Sequence, residues 1–367
     1  MSLSVLQDVS LAPLTTLELG GPAHALVEAS DEETVIEGLA WAQARGLPVL
    51  ALGGGSNLVI ADRGFPGLVI RIALRGASFE PDGALTLMHA RAGEPWDGLI
   101  AETVRRGLSG LECLSGIPGL AGATPIQNVG AYGQEVAETI RAVRVVDRRS
   151  RQIAVLAPAQ CGFSYRDSVF KREPDRWIVL GVTFALRRDG VPHLGYRELE
   201  QALATSTAAA TSLSPSSQPT LALVRDTVIA LRRGKSMVID AGDENRRSAG
   251  SFFMNPIVTA AEADGLVAGW LGQGLITDAT QVPRFAAGPD RIKLSAGWLI
   301  EHAGWHKGFR RGAVGISSRH ALALVHHGGG TTAELLALAD DVRDAVAARF
   351  GVTLVREPVV VAAAQQL

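Results

Sequence analysis

The stretch from residue 116 to residue 133 constrains the fold more than any other segment of this 367-residue chain. It holds five glycines and two prolines in eighteen residues, has no charged side chain and shows little helix or strand periodicity. A long irregular segment inside a compact domain is usually functional, and a nearly uncharged, apolar loop is a poor surface loop. Its glycines, prolines and the amides of Gln127 and Asn128 suit a loop laid against a flat polar ligand.

A second glycine-rich segment, residues 52–57 (LGGGSN), directly follows the predicted strand 47–52. Its backbone N–H groups can approach phosphate oxygens without a Cβ in the way, and Ser56 and Asn57 add donors. The dinucleotide fingerprint GxGxxG is absent, because it would need glycine at Leu58. Alone, this segment is equally compatible with a tight turn between strands. Two such loops together favour a bound nucleotide or flavin.

Around these loops the sequence alternates helix and strand signals. Helices are predicted over 35–42 (after a capping box that starts at Ser30), 94–106, 221–233, 259–271, 296–303 and 332–349, and strands over 47–52, 68–72, 85–89, 140–147, 152–156, 178–186 and 352–362. Residues 201–220 are rich in Ala, Ser and Thr, which is typical of a linker, although the Ala-rich half could also extend a helix. The pattern predicts an α+β protein with a linker between two domains.

Composition excludes several classes of protein. There are 35 Lys and Arg against 37 Asp and Glu, a net charge of −2, so we expect no nucleic acid and no anionic membrane as a partner. Apolar stretches are interrupted well before ~18 residues, and the first residues lack the features of a signal peptide. Cys113 and Cys161 form no ligand pattern, which favours a cytosolic protein with two buried thiols.

Other catalytic motifs are missing or incomplete. Residues 234–236 (GKS) resemble the end of a P-loop, but that motif would need glycine at Ile229. The spacing is equally compatible with Lys235 as a cation that binds an anionic ligand and with Lys235 as a solvated side chain. No set of His, Cys, Asp and Glu has metal-ligand spacing, so we predict no metal. The nucleophile motif GxSxG is absent as well.

Three short polar motifs lie in otherwise apolar contexts: residues 163–168 (FSYRDS), 250–256 (GSFFMNP) and 355–359 (VREPV). The second presents a hydroxyl beside a glycine and two aromatic rings, where a serine can be partly desolvated. The third places charges in a terminal strand, where they could also protect a strand edge. Their spacing alone does not show that the three motifs act together.

In their order along the chain, these motifs resemble the UDP-N-acetylenolpyruvoylglucosamine reductase family, flavoenzymes that make UDP-N-acetylmuramate for peptidoglycan. The likeness covers residues 16–23, 52–57, 116–133, 165–168, 250–256, 293–301 and Glu357. It implies an α+β fold, with a two-subdomain FAD-binding module of the vanillyl-alcohol-oxidase (PCMH) type and a C-terminal α+β substrate-binding domain. The implied boundaries are 1–75 for the first FAD-binding subdomain (joined by a C-terminal strand, 350–367), 76–200 for the second, 201–220 for the linker and 221–349 for the substrate domain.

The resemblance also implies the chemistry. NADPH reduces non-covalently bound FAD, and the reduced flavin N5 delivers hydride to the enolpyruvyl ether of UDP-N-acetylglucosamine enolpyruvate. Arg166 is implied to stabilise the enediolate-like species that results, and Ser251 to protonate its α-carbon. Glu357 should lie near the substrate carboxylate, where repulsion between like charges would favour its protonated form.

Binding residues are implied in the same way. The residues implied to bind the pyrophosphate end of FAD are Gly53, Gly55, Ser56 and Asn57. Those implied to line the flavin are Ile117, Gly122, Ala123, Gln127 and Gly130. Tyr132, Tyr165, Lys235 and Asn255 should face substrate or nicotinamide, which would share one pocket and give ping-pong kinetics. Residues 194–196 resemble the loop of the longer subtype, whose tyrosine, here Tyr196, closes over the substrate.

Two features depart from the family pattern. Arg356 stands where many relatives have proline before the catalytic glutamate, and the Ala/Ser/Thr-rich insert after Glu200 has no counterpart. We expect a cytoplasmic monomer. The alternatives are another flavoprotein oxidase or dehydrogenase of the same fold, and a nucleotide-sugar-binding protein without catalysis. The absence of His and Cys from both glycine-rich loops disfavours covalently flavinylated oxidases.

Overall fold

The computed structural model describes residues 3–209 and 218–361, apart from the side chains of residues 206–209. Contacts between Cα atoms divide these residues into two compact units. Unit 1 consists of residues 3–9, Ala23–Gly55 and Pro66–Ile239. Unit 2 consists of Ser10–Pro22, Ser56–Phe65 and residues 240–361.

Helices and strands alternate irregularly along the described residues. The helices are α1 (Glu32–Gln43), α2 (Trp96–Arg105), α3 (Pro158–Cys161), α4 (Val169–Arg172), α5 (Arg197–Ala209), α6 (Leu221–Gly234), α7 (Ala260–Gly272), α8 (Ala296–His302) and α9 (Thr332–Phe350). The strands are β1 (Leu6–Ser10), β2 (Pro22–Ala29), β3 (Val49–Leu52), β4 (Leu58–Ile60), β5 (Phe65–Ile72), β6 (Ala77–Asp82), β7 (Leu85–Arg91), β8 (Gly130–Ala131), β9 (Gln134–Glu135), β10 (Ile140–Asp147), β11 (Ile153–Leu156), β12 (Trp177–Arg187), β13 (Ile257–Thr259), β14 (Arg284–Ala286), β15 (Arg291–Leu294), β16 (Arg310–Arg311), β17 (Val314–Ile316), β18 (Leu324–His326) and β19 (Val359–Val361).

Unit 1 contains two main sheets. One has the strand order β1-β2-β5-β3, and the other has the order β11-β10-β12-β7-β6 with antiparallel neighbours. Strand β7 alternates buried and half-buried positions, so Met88 and Ala90 point into the core. The rings of Trp96 and Phe184 meet there at 5.5 Å between centroids. This core supports the loops that follow β3 and α2.

Helix α1 begins one residue later than the predicted capping box. Asp31, rather than Ser30, is the N-cap residue, and its carboxylate accepts the Thr34 N–H at 2.7 Å. The prediction of Ser30 was therefore wrong by one position. Both types of residue cap well, and the extended backbone of Asp31 decides where the helix begins.

Unit 2 is built on helices α7, α8 and α9 and on small sheets with the orders β13-β15-β14, β16-β17-β18 and β19-β4. Thr331 caps α9 through a capping box with Glu334. The Asp62 carboxylate accepts the N–H groups of Thr332 at 2.7 Å and Ala333 at 2.9 Å. The end of β4 is thereby fixed to the first turn of α9.

Two predicted segments differ from the structure. The terminal strand, predicted over 352–362, is limited to β19, which pairs in parallel with β4. Val352 and Leu354 are buried in the hydrophobic core of unit 2 instead, and Pro358 has no N–H to donate to a ladder. Helix α5 continues through residues 201–209 of the predicted linker, and residues 210–217 and 362–367 lie outside the described residues.

The two compact units do not test the predicted domain boundaries, which stay a prediction. Helix α6, with which the predicted substrate domain begins at residue 221, lies in unit 1. Both thiols are buried, as predicted, and burial raises the pKa of Cys113 to about 12 and that of Cys161 to about 11. In the described part of the chain, no helix combines the length and the apolar character needed to cross a bilayer. Within the same residues, no three His, Cys, Asp or Glu side chains are grouped so that they could hold a metal ion.

Candidate active site

The two glycine-rich loops lie against each other in unit 1. A Cβ atom at Gly54 would come within 3.1 Å of the Gly119 Cα, and one at Gly53 would come within 3.8 Å of a Leu120 methyl carbon. Gly55 has a φ of +61°, which favours glycine. A Cβ at Gly122 would lie only 2.5 Å from that of Ala92, so this position has no room for a side chain. The loops predicted to hold one flat ligand are therefore neighbours.

Asn128 corrects one expectation about the longer loop. Its side chain is buried, and its amide nitrogen donates to a Glu135 carboxylate oxygen at 2.6 Å and to the Ser164 carbonyl at 3.0 Å. Its amide oxygen accepts the Ala137 N–H at 3.1 Å. Asn128 was interpreted as part of an amide pair facing a ligand, and that interpretation was wrong because the amide is used within the protein. Gln127, its neighbour, is half-buried.

The motif that contains Arg166 attaches to this loop. The Arg166 guanidinium donates to the Gly130 carbonyl at 2.9 Å, and its own carbonyl accepts the Lys171 ammonium at 2.9 Å. The Ser168 hydroxyl donates to the Ile126 carbonyl at 2.5 Å. Arg166 has a φ of +55°, an uncommon conformation for a residue with a side chain. Such strain clusters at functional sites, and Tyr132 (φ +49°) and Ser236 (φ +55°) show it too.

Three of the predicted substrate-binding side chains come together in unit 1. The rings of Tyr132 and Tyr196 meet edge to face, with 5.4 Å between centroids. The Lys235 ammonium lies 5.8 Å from the centre of the Tyr132 ring and 2.6 Å from a Glu198 carboxylate oxygen. Burial raises the pKa of Tyr132 to about 12, so this phenol is neutral and can donate a hydrogen bond. The Tyr165 ring lies against the Arg166 guanidinium, 5.7 Å from its ring centre.

Arg232 is a candidate that the sequence reasoning missed. Burial lowers its pKa to about 10, and Tyr132, Asp97 and Arg166 all influence it electrostatically. One of its Nη atoms donates to the Met237 carbonyl at 2.6 Å, while its buried Nε has no partner among the described residues. The sequence spacing could have indicated that Arg232 is buried. It follows Val224 and Val228 of α6 at intervals of four residues, which places it on the same, buried face of the helix.

Unit 2 brings Ser251 close to Glu357. The Glu357 N–H donates to the Phe252 carbonyl at 3.0 Å, and the Met254 N–H donates to the Val355 carbonyl at 2.9 Å. These bonds pair the residues that follow Ser251 with the chain segment that contains Glu357. Gly250, with a φ of +75°, supplies the turn before the serine. Two of the three predicted catalytic residues are therefore neighbours, 106 positions apart in the sequence.

Arg356, the residue before Glu357, is bound to helix α9. Arg356 donates to an Asp340 carboxylate oxygen of α9 at 2.6 Å. The Asn57 amide lies 3.5 Å from the Glu357 carbonyl, and Asn57 accepts the Val359 N–H at 3.0 Å. Asn255 uses its amide oxygen to accept the Ala296 N–H at the start of α8, at 2.9 Å.

Asp97 fixes the start of the longer loop. It accepts the Gly116 N–H at 2.6 Å and two hydrogen bonds from the Arg225 guanidinium, at 2.6 and 2.7 Å. Burial acts to raise the pKa of Asp97, but the hydrogen bonds from Arg225 and Gly116 outweigh it and hold the pKa below its usual value of 3.8. The ionised form is thus favoured in the folded protein.

Replacement of this carboxylate should therefore destabilise unit 1. We expect Asp97→Asn to lower the free energy of unfolding by about 1–3 kcal/mol at pH 7, since it removes a charged acceptor of hydrogen bonds. A carboxyl group whose pKa is lower in the folded than in the unfolded protein stabilises the fold at pH values above its unfolded pKa. This stabilisation is lost as the pH falls through the folded pKa. The difference in unfolding free energy between the wild type and Asp97→Asn should therefore shrink below pH 3.8. Urea unfolding over this range tests it, with Asp82→Asn in the exposed β6–β7 turn as the control. An equal effect of both variants would contradict the anchoring role.

Comparison with known proteins identifies the family. Residues 242–361 match the model of the UDP-N-acetylenolpyruvoylglucosamine reductase C-terminal domain, and residues 23–155 match that of an FAD binding domain. The UDP-N-acetylenolpyruvoylglucosamine reductase of Streptomyces coelicolor is 49% identical over 364 residues, which are 98% of this chain and 91% of that protein. The chain belongs to the UDP-N-acetylenolpyruvoylglucosamine reductase family. The family member from Thermobifida fusca is 46% identical over 366 residues, covering 98% of this chain and 99% of that one.

A solved structure of the family agrees with the fold. The enzyme of Thermus caldophilus is 26% identical, with a TM-score of 0.63 over 98% of this chain and 99% of that one. The family resemblance, the α+β fold class, the enzyme class and FAD as cofactor are therefore confirmed. The matched C-terminal domain begins at residue 242, close to the start of the third segment of unit 2 at Asp240.

The residues of unit 1 suit FAD. The absence of side chains at Gly54 and Gly122 lets these loops pack closely against Gly119 and Ala92, which brings their backbones together. Arg232 adds a cation with unused hydrogen-bonding capacity beside Gly116, where its Cδ would be 3.6 Å from an added Cβ. An anionic group bound there would compensate a charge that is otherwise buried at a considerable cost in free energy.

Proposed function

We propose that this chain catalyses the NADPH-dependent reduction of UDP-N-acetylglucosamine enolpyruvate to UDP-N-acetylmuramate, a cytoplasmic step of peptidoglycan precursor synthesis. FAD, when bound, supplies the transfer of hydride between nicotinamide and the enolpyruvyl group. The observation that carries the proposal is the pairing of residues 252–254 with 355–357, which sets Ser251 beside Glu357. The family named above supports the substrate and the reaction.

The residues that would hold FAD are those implied by the resemblance. The residues that would donate to its pyrophosphate are Gly53, Gly55, Ser56 and Asn57. Those that would line the flavin are Ile117, Gly122, Ala123, Gln127 and Gly130. Arg166 supports this set, because its guanidinium holds the Gly130 carbonyl. Arg232 would offset negative charge near Gly116.

Three side chains would manage charge and protons on the substrate. Arg166 remains cationic and stabilises the enediolate-like species that forms at the substrate carboxylate. The Ser251 hydroxyl donates a proton to the α-carbon. Glu357, in its protonated form, hydrogen-bonds the carboxylate end of the substrate instead of repelling it.

The tyrosine and lysine group of unit 1 would bind the nucleotide part of the substrate. Lys235 supplies a positive charge for a diphosphate, which would take the place of the Glu198 carboxylate that contacts it now. Tyr132, Tyr165, Tyr196 and Asn255 complete the binding set. Because NADPH carries a diphosphate too, both substrates would use these groups in turn, which gives ping-pong kinetics and is compatible with a monomer.

A single spectroscopic experiment tests this function. We expect the purified protein to show a flavin absorbance band that bleaches under anaerobic NADPH and returns when UDP-N-acetylglucosamine enolpyruvate is added. Bleaching without return would retain the flavoprotein and reject the substrate. A protein without a flavin band, even after addition of FAD, would reject the enzyme and favour a nucleotide-sugar-binding protein.

A further inference from the structure

Glu112 is a fully buried carboxylate to which the proposed mechanism gives no role. It lies in a single 3₁₀ turn, Glu112–Leu114, and 0% of its surface is exposed. Its two oxygens accept backbone N–H groups, from Gly110 at 2.7 Å and from His193 at 2.6 Å. In the part of the chain that the structure describes, no cation pairs with it. Burial of a carboxylate is unfavourable unless its hydrogen bonds are satisfied.

The bond to His193 connects two distant parts of unit 1. Residues 188–196 follow β12 without regular structure and lead to Tyr196. Within this segment, Asp189 accepts the Ser109 hydroxyl at 2.8 Å, and the His193 carbonyl lies 3.4 Å from the Cys113 thiol. Glu112 and Cys113 thus hold both the N–H and the carbonyl of His193. The segment is fixed three residues before the tyrosine.

The same turn also holds the other tyrosine of the pair. The Cys113 N–H donates to the Gln134 side chain at 3.0 Å, and Gln134 follows Tyr132 by two residues. Cys113 and Tyr132 belong to a small core with Leu199, Leu203, Val224 and Val228. Both chain segments that carry the Tyr132–Tyr196 contact are therefore attached to one turn.

We propose that Glu112 is a positioning residue that holds Tyr196 at the substrate, through its hydrogen bond to the His193 N–H. This inference rests on the proposed function, because Tyr196 is the side chain proposed to cover the substrate. Glu112 itself touches neither substrate nor cofactor. Without the carboxylate, residues 188–196 lose their buried attachment, and the substrate must fix Tyr196 at the expense of its own binding energy.

The variant Glu112→Gln tests the inference with little change in shape. One carboxylate oxygen becomes an NH₂ group, which cannot accept a backbone N–H. We expect KM for the enolpyruvyl substrate to rise about tenfold, the equivalent of one hydrogen bond to a charged group. The flavin band and the rate of its reduction at saturating NADPH should stay within about twofold of the wild type. The matched control is Glu138→Gln, because the exposed Glu138 also accepts a backbone N–H, that of Glu135, at 3.1 Å.

A double-mutant cycle separates positioning from general stability. If Glu112 acts through Tyr196, Glu112→Gln should raise KM in the wild type and have no further effect in Tyr196→Ala. The proposal would be overturned if the effects of the two substitutions on KM multiplied in the double variant, or if Glu112→Gln alone left KM unchanged. It would also be overturned if Glu112→Gln weakened flavin binding, lowered kcat and raised KM by similar factors, since that result indicates damage to the fold. Should Glu112→Gln fail to fold, Glu112→Asp retains the charge, is too short to reach both N–H groups, and is expected to raise KM in the same way.

The amides of residues 188–196 provide a readout that does not depend on activity. Hydrogen exchange of this segment should accelerate in Glu112→Gln and not in Glu138→Gln. If the wild type fails to turn over the enolpyruvyl sugar, the proposed function is wrong, whereas unchanged exchange in Glu112→Gln rejects the attachment itself. The two failures are thereby distinguishable.

Discussion

Ser251→Ala should retain flavin reduction by NADPH and lose turnover of the enolpyruvyl substrate by about 10²–10⁴-fold, the range expected when a general acid is removed. The proton on the α-carbon is needed only after hydride has been transferred, so the first half-reaction does not require the serine. Stopped-flow absorbance of the flavin band measures the two half-reactions separately, first with NADPH and then with the enolpyruvyl sugar. An equal decrease in both rates would show that Ser251 is not the proton donor.

Glu357→Gln provides the comparison for this result, because Glu357 lies on the chain segment paired with the residues after Ser251. A glutamine has the shape of a protonated glutamic acid and can donate a hydrogen bond, so we expect the rate of the second half-reaction to change only a few-fold. A strong loss in this variant, with activity retained in Ser251→Ala, would assign the proton to the glutamate. Both residues are half-buried, and the two variants each remove one candidate proton donor.

Periodic segments were predictable from sequence alone. Strand β10 spans Ile140–Asp147, as predicted, because half of its residues are β-branched, a composition that favours strands. The terminal strand was overestimated, since Val352 and Leu354 are as apolar as a strand would require but are buried in the core of unit 2. Apolar character predicts burial, and the partner in the fold decides the secondary structure.

The residues of the candidate site were harder to predict from short segments of the sequence. Positions such as Ser251 and Glu357 were implied by family resemblance, because no spacing rule relates residues 106 positions apart. Asn128 was misread for the same reason: its amide partners, Glu135 and Ser164, were not evident from the loop sequence. Glu112 has its partner at His193, 81 residues further along the chain. Buried polar contacts of this kind depend on the tertiary fold and leave no periodic pattern.

Arg166→Lys should lower the rate of the second half-reaction by about 10²–10³-fold, the effect of losing one preorganised donor at a developing negative charge. Lysine retains the positive charge, but it lacks the planar fork that could hold a protein carbonyl and a substrate carboxylate together. In the structure one end of this fork already holds the Gly130 carbonyl at 2.9 Å. The other Nη atom donates a longer hydrogen bond to the Asn128 carbonyl, at 3.4 Å. This guanidinium is the group proposed to stabilise the enediolate-like species.

The hydrogen bond between Arg166 and the Gly130 carbonyl also allows a purely structural role of Arg166 to be tested. If Arg166 only supported the loop at Gly130, Arg166→Lys would alter the spectrum of the bound flavin and slow its reduction by NADPH as much as its reoxidation. We expect instead an unchanged spectrum and a loss confined to reoxidation by the enolpyruvyl sugar. Arg176→Lys is the matched control, since this exposed arginine stacks on Trp177 at 4.4 Å and pairs with Glu173. Arginine and lysine both carry a Cβ, so the substitution adds no new steric conflict at the positive φ of residue 166. The effect of Arg166→Lys, compared with that of Arg176→Lys, therefore reports on the guanidinium.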